Sequence, residues 1–320
     1  MSIPKISVII PVYGVEKYIE KCLESLFSNK IASQCEFLII NDCTRDSSIT
    51  IAREILKRFP SIANNVKIIE HKHNMGLAAA RNTGLKNSTG TYFITIDSDD
   101  WVEPNFLQEL YIKISTENSD ICSCDYFAEY SDNTKIIKKN FVNNPSKNLE
   151  SLVKKNQVRS IWTNMIKKSL FEKQIEWTQG IDLGEDLLIN IKLFLEATSF
   201  SHVAKPLYHY RLENTNSITH NKEKKIQQFY NLEKECSEVL CKANFSKLSL
   251  ILKKDIKKSI LGCCPKEERK KYYKLWPETK WVSDFYSKSL KTFVFFFFMR
   301  IKLYLFCNIL IDLYQRRSTN

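Results

Sequence analysis

Through its first hundred residues the chain alternates short apolar, β-rich runs with segments whose apolar residues recur at helical spacing, and few architectures accommodate that succession. Ile6–Val12 reads as a strand, followed by a helix over Glu16–Phe27 with Ile19, Leu23, Leu26 and Phe27 on one face. Phe37–Ile40 reads as the second strand, Asp46–Phe59 as a helix, Val66–Glu70 as the third strand and Leu77–Lys86 as the third helix. Tyr92–Ile96 is the fourth strand, with Pro104 at a first helical position beyond it. The pattern is that of an α/β fold, a mostly parallel sheet flanked by helices. Such sheets bind ligands beyond the carboxyl ends of their strands.

The polar signals gather at those ends. The first strand runs out at Pro11-Val12-Tyr13-Gly14, the second at Asn41-Asp42, and the fourth at Asp97-Ser98-Asp99-Asp100, with the Asn74–Gly84 loop and helix between. Three carboxylates within four positions repel one another unless a cation or hydrogen-bond donors compensate. Oxygen-only ligands point to Mg²⁺ or Mn²⁺ with positions left open for substrate phosphates; the alternative is a solvated acidic turn. Six of the seven glycines fall at or before Gly184. Two of them, Gly76 and Gly84, flank Leu77-Ala78-Ala79-Ala80, where small side chains permit close approach of a ligand or simply close packing.

Beyond residue 116, extended segments surround a hairpin turn at Ser131-Asp132-Asn133, and a mixed region holds Trp162, Trp177 and Glu185-Asp186. Charge then divides the chain. The net charge is +12, yet residues 1–221 hold 26 Lys+Arg against 26 Asp+Glu, so all the excess lies in 222–320. A neutral body with a basic end implies docking on an anionic surface through that end. Ten scattered cysteines without C-x-x-C spacing argue against zinc or redox motifs and for a reducing compartment. The Met1–Lys5 start leads straight into Ile6–Val12, too brief an apolar run for a signal peptide.

SVIIPVYG, Asn41-Asp42, NMGLAAARNTGL, FITIDSDD and GEDLLIN together resemble the inverting glycosyltransferases of family 2, which have the GT-A fold. The resemblance covers roughly residues 5–220. It implies a glycosyltransferase domain over 1–220, with a nucleotide-binding half to about 115 and an acceptor half over 116–220. It also implies that Pro11 and Tyr13 shape the base and ribose pocket, that Asp42 hydrogen-bonds the base, typically uracil, and that Arg81 lies near the nucleotide. Asp97 and Asp99 match the family's DxD pair, Asp99 for direct metal contact and Asp97 for metal, ribose or water-mediated contact, with Ser98 between them at the nucleotide. Glu185-Asp186 matches the ED pair, in which Asp186 is the general base. Neighbouring residues at a helix start point about 100° apart, so one of the two should face the acceptor and the other cap or position.

Each position has a plainer reading: a turn residue for Asp42, a surface ion pair for Arg81, a helix start for Glu185 and Asp186. Trp162 and Trp177 are candidates for stacking on a sugar or for the core. His209-Tyr210-Arg211, with Asn216-Ser217-Ile218, resembles a segment that folds over the donor, where His209 or Arg211 would contact the diphosphate. Cys43 departs from the family, which more often has Gly or Ser after the aspartate.

Phe293–Tyr314 is dominated by Phe, Leu and Ile and ends against Arg316-Arg317. Arg300, Lys302 and Asp312 make spanning a bilayer costly, so residues 292–314 read as an interfacial segment within a basic helical extension, 221–320, attached to an anionic cytoplasmic leaflet. A buried helix hairpin or a self-association helix is the alternative. The expectation is therefore a cytoplasmic enzyme, peripheral on the inner membrane. It would transfer sugar from a nucleotide-sugar donor, such as a UDP-sugar, to a cell-surface glycan or lipid-linked acceptor, with Mn²⁺ or Mg²⁺. A catalytically silent scaffold would share the fold, and a nucleic-acid-binding protein would use the basic third, but no recognition motif for nucleic acid is present.

Overall fold

β-Branched and aromatic residues fill the four N-terminal apolar runs. In the computed structural model, which describes residues 4–139, 141–155, 159–212, 222–281, 298 and 306–311, each run is a strand. β1 (Ile6–Val12), β2 (Cys35–Asn41), β3 (Val66–Glu70) and β4 (Tyr92–Thr95) are parallel, with β1 between β2 and β4 and β3 outside β2. β1 and β2 are buried along their whole length, which is why their sequences are largely apolar rather than alternating.

Helices α1 (Ile19–Phe27), α2 (Ser48–Arg58) and α3 (Leu77–Asn87) connect these strands. The first two begin two or three residues later than helical spacing predicts. The reason is Asp46, whose carboxylate accepts the Glu16 and Ser48 N–H groups and the Thr44 and Ser48 hydroxyls, holding the chain in a turn ahead of each helix.

The two faces of β1 serve different helices. Ile6, Val8, Ile10 and Val12 share one core with Ile19, Leu23, Leu26 and Phe27 of α1 and Ala52 and Ile55 of α2. Ile9 instead meets α3 at Gly84, where any side chain would overlap the Ile9 Cγ2 methyl. Fully burying one such aliphatic side chain stabilises the fold by roughly 1.5–3 kcal/mol.

After β4 the acidic turn leads into β5 (Trp101–Val102) and α4 (Phe106–Thr116). Pro104 is not the first residue of α4. The helix starts two residues on, after Asn105, and the Pro104 carbonyl accepts the Lys30 N–H. Next come β6 (Ile121–Glu129), β7 (Thr134–Ile137), α5 (Pro145–Val153), β8 (Asn164–Lys167), α6 (Glu185–Glu196) and β9 (Phe200–Arg211). The hairpin turn forms at the expected place, closed by Tyr130 N–H to the Asn133 carbonyl.

The nine-stranded sheet runs β3-β2-β1-β4-β8-β6-β9-β5, with β7 on β6. β8 is antiparallel to β4 and β6, whereas β9 is parallel to β6 with an irregularity between Cys124 and Tyr126. β5 pairs antiparallel with β9, so the acidic turn is slung between the β4 end and the far side of the sheet.

The chain divides into two compact units, Met1–Leu149 with Gln157–Ser217, and Glu150–Asn156 with Ile218–Asn320. In the second, α7 (Lys222–Lys242) packs on α8 (Ser246–Cys263), and α9 (Arg269–Tyr273) follows. Leu232, Cys236 and Leu240 of α7 and Leu248, Leu252, Ile256 and Ile260 of α8 form buried stripes at helical spacing. Asn244, with φ of 66°, makes the left-handed turn between them. No helix among the described residues is long and apolar enough to cross a membrane. Most of 292–314, and the whole of Asn216-Ser217-Ile218, lie outside the described residues.

Gly84→Ala should lower the unfolding free energy by about 1–3 kcal/mol in urea denaturation, because the added Cβ would lie 2.2 Å from Ile9 Cγ2 and something must shift. An unchanged midpoint would contradict this packing.

Candidate active site

The small residues of α3 let the helix lie close on the sheet and carry Arg81 to the carboxyl end of β4. Arg81 is 1% exposed. Its Nη2 donates to Asp97 Oδ1 at 2.9 Å, and its Nη1 donates to Asp186 Oδ1 at 2.8 Å and to Glu185 Oε1 at 3.2 Å. One guanidinium thus joins the acidic turn after β4 to the start of α6. Burial, aided by the Asp186 charge, raises the Glu185 carboxyl to about 7 against the pull of Arg81. Burial and the Asp97 charge likewise raise Asp186, opposed by Arg81 and by the Ile161 N–H, while the three carboxylates hold Arg81 charged. Arg81 Nε has no hydrogen-bond partner among the described residues.

Glu185 and Asp186 are the first two residues of α6, entered through Gly184 with φ of 84°. Both reach the same nitrogen of Arg81, since the longer glutamate bridges the angular offset between neighbouring positions. Asp186 differs in that its second oxygen accepts the Ile161 N–H at 3.2 Å. A carboxylate offers about four lone-pair sites, so two bonds leave Asp186 with capacity to accept a further proton.

In the acidic turn the four residues divide by role. Asp100, 1% exposed, accepts the Tyr208 hydroxyl at 2.7 Å and the Arg211 N–H at 2.8 Å, which pins the turn to β9. Burial and the charges of Asp99 and Asp97 push its carboxyl well up. Ser98 is buried, whereas the Asp97 and Asp99 side chains keep partial exposure. Arg211 Nε donates to the Asp99 carbonyl at 3.1 Å, and its guanidinium lies 4.8 Å from the Trp101 ring and 4.9 Å from the Tyr18 ring. Among the described residues no group of three or more His, Cys, Asp or Glu side chains is preassembled for a metal ion. Two carboxylates at an open turn still fit a hard divalent cation, which takes its remaining oxygens from water and substrate phosphates.

At the other strand ends, Tyr13 is 52% exposed while Pro11 is buried at the end of β1. Asp42 is buried and organises the loop ahead of α3. It accepts the Met75 and Gly76 N–H groups, each at 2.8 Å, and bonds His71 Nδ1 at 2.7 Å. His71 Nε2 in turn lies 2.9 Å from the Thr83 hydroxyl. Cys43 has a left-handed backbone, φ 58°, which accounts for glycine being the more usual residue at a turn of this kind.

Several candidates sit elsewhere in the chemistry. Trp177, 1% exposed, packs against Phe93 and Phe171, and Asn82 clamps its backbone through two hydrogen bonds. Trp162, 4% exposed, stacks on Tyr208 and Tyr210. Both indoles are core, with no face open to a sugar. His209 lies between the Trp101 and Phe127 rings, with Nδ1 2.6 Å from Glu129 and Nε2 2.8 Å from Glu103, so both ring nitrogens are occupied. Its contact with a diphosphate is therefore not supported, and Arg211 is the nearer group to the acidic turn. His71, Tyr208, Glu103 and Glu129 escaped the sequence reading. His71 alone carried a signal, being the first residue past β3 at the ligand-binding edge of the sheet.

A model of the family described as glycosyl transferase family 2 matches residues 7–175. The chain is 32% identical over 234 residues to EpsH of Bacillus subtilis, a protein named as a glycosyltransferase, across 71% of this chain and 66% of that one. It is 34% identical over 220 residues to the glycosyltransferase GlyA of Streptococcus pneumoniae, across 65% of this chain and 30% of that one. The chain thus spans less than two thirds of the length of these curated relatives. Its fold is similar to that of S. aureus TarS 1–349 in complex with UDP-GlcNAc, with a TM-score of 0.69, 18% identity and coverage of 98% and 92% of the two chains. The mannosyltransferase PcManGT from Pyrobaculum calidifontis, in complex with GDP-Man and Mn²⁺, follows at a TM-score of 0.58, 12% identity and coverage of 98% and 86%.

A glutamate whose folded carboxyl is raised to about 7 stabilises the fold fully below the ordinary glutamate value of about 4.3. That contribution is lost as pH rises through about 7. Denaturant melts between pH 4.5 and 8 should therefore show wild-type stability falling relative to Glu185→Gln across this window. Parallel profiles for the two proteins would refute the assignment.

Proposed function

The chain belongs to glycosyl transferase family 2, and on that premise we propose that it transfers a sugar from a nucleotide diphosphate sugar, a UDP-sugar, to a hydroxyl of a growing cell-surface glycan by a single inverting displacement. The observation that supports this reading is the meeting of Asp97 with Glu185 and Asp186 on Arg81, as a donor-side carboxylate and a nearby base would require.

In this reading the base lies over exposed Tyr13, beside Pro11, with Asp42 fixing the loop that closes the pocket. Ser98 and Asp97 face the ribose and Arg211 the diphosphate. Mn²⁺ or Mg²⁺ held by Asp99 and Asp97 would supply charge neutralisation for the departing diphosphate. Asp186 takes the proton of the acceptor hydroxyl while that oxygen forms its bond to the anomeric carbon. The bond from that carbon to the diphosphate oxygen breaks in the same step, and the nucleoside diphosphate leaves with the electron pair. Burial suits Asp186 to the task, since a carboxylate raised above its ordinary value is a stronger base. Glu185 positions Arg81 from the other side of the same nitrogen.

Nucleotide release from a panel of UDP-, GDP- and dTDP-sugars, with and without Mn²⁺, tests the reading. One donor should turn over in a metal-dependent way. Asp186→Asn should cut kcat by about 10²–10⁴-fold with KM little changed, and Asp99→Asn should remove the response to Mn²⁺. Full turnover by either variant would sink the roles given to them.

The acceptor would be presented at the cytoplasmic face of the inner membrane, approached through the basic residues of 222–320. Support comes from the charge excess confined to that region. The full chain should co-sediment with phosphatidylglycerol vesicles at low salt and much less with phosphatidylcholine vesicles. Equal retention on both would remove the electrostatic docking.

A further inference from the structure

Close to Asp186 lies a buried lysine for which the proposed chemistry has no use. Lys139, just past β7, is 3% exposed. Its backbone N–H donates to Asp125 Oδ1 at 2.8 Å, and Asp125 also meets His202 Nε2 at 3.0 Å. The ammonium has three protons and finds three acceptors: the Ser160 carbonyl at 3.2 Å, Thr163 Oγ1 at 2.5 Å and Asn164 Oδ1 at 3.2 Å. None is a carboxylate. The charge is held instead by neutral dipoles of one short segment, Ser160–Asn164. Burial lowers the amine to about 8, opposed by the nearby carboxylates of Asp186 and Asp125.

Residues 159–164 are tied to α6 by three hydrogen bonds. Asn164 Nδ2 donates to Asn190 Oδ1 at 3.0 Å, and Asn190 Nδ2 donates to the Arg159 carbonyl at 2.8 Å. Asn190 lies one helical turn beyond Asp186, where Ile161 N–H meets Asp186 Oδ2. The segment therefore grips α6 at two successive turns. Lys139 fixes three acceptors of the segment at once. Thr163, Asn164 and Asn190 are each at most 1% exposed, so water cannot replace these bonds. An apolar residue could fill the same space at a smaller desolvation cost but could not orient three acceptors.

We propose that Lys139 is a positioning residue for Asp186: it clamps residues 160–164 so that the Ile161 N–H holds one carboxylate oxygen and leaves the other to face Arg81 and the acceptor. This inference rests on Asp186 as the base. The segment is set by a cation from beneath and reports to the reacting group through a single backbone N–H.

Residue-resolved amide exchange in the full chain tests it. In Lys139→Met the Ile161 amide should exchange at least about tenfold faster while the β1 and β2 amides keep their protection. With the donor that wild type turns over, kcat should fall about tenfold or more and donor KM should stay within about twofold. An unmoved Ile161 amide overturns the proposal. Should the Met variant fail to fold, Lys139→Gln takes its place, and collapse of protection in both leaves Lys139 a structural residue only, which also overturns it. The two readings fail separately, because full turnover by Asp186→Asn removes the base assignment while an unmoved Ile161 amide removes the clamp.

Discussion

A single guanidinium at the centre of the sheet's carboxyl edge decides whether the rest of the site can exist. Asp97, Glu185 and Asp186 come from segments that would repel each other in a buried setting, and Arg81 is what allows them to be neighbours. Removing one partner from a buried ion pair costs about 3–5 kcal/mol because the charge left behind is stranded. Here Glu185 and Asp186, whose carboxyls are raised even beside Arg81, would take up protons instead. The position of Arg81 depends in turn on how closely α3 lies on β1, and hence on Gly84 and the alanines before Arg81.

The same edge shows how a fold can spend stability on chemistry. Asp42 satisfies two backbone N–H groups and a histidine, Asp100 a tyrosine and a backbone N–H, and both are rigid fixtures. Asp186 and Glu185 are held with their proton affinities raised, a less favourable state for the isolated protein and a better one for taking a proton. Asp42 and Asp100 are held by backbone and side-chain donors, whereas Glu185 and Asp186 share one buried cation.

The sequence made the N-terminal architecture legible because each element carries its own signal. β1 and β3 are found as read, and the starts of α1 and α2 differ where Asp46 holds turns. What stayed hidden depends on pairing at a distance. β5 is two residues long and β8 four, and neither has a pattern apart from the strands beside it. The acidic turn and the Glu185-Asp186 pair were visible as residue types, yet nothing in the spacing says that Arg81 binds both. Trp162 and Trp177 were candidates for a sugar on chemistry and His209 for the diphosphate through the resemblance, and only burial and filled hydrogen-bond positions speak against them. Lys139 gave no signal because a lysine in a polar stretch reads as surface.

The distances along the chain between Arg81 and its partners set an order of assembly. Asp97 is 16 residues away, but Asp186 is 105. During synthesis Arg81 and Asp97 emerge and can pair well before α6 leaves the ribosome, since domains form from the N-terminus as they are made. Glu185 and Asp186 arrive last, onto a guanidinium that Asp97 can already occupy, and a chain that ended before them would leave Arg81 with a single carboxylate partner.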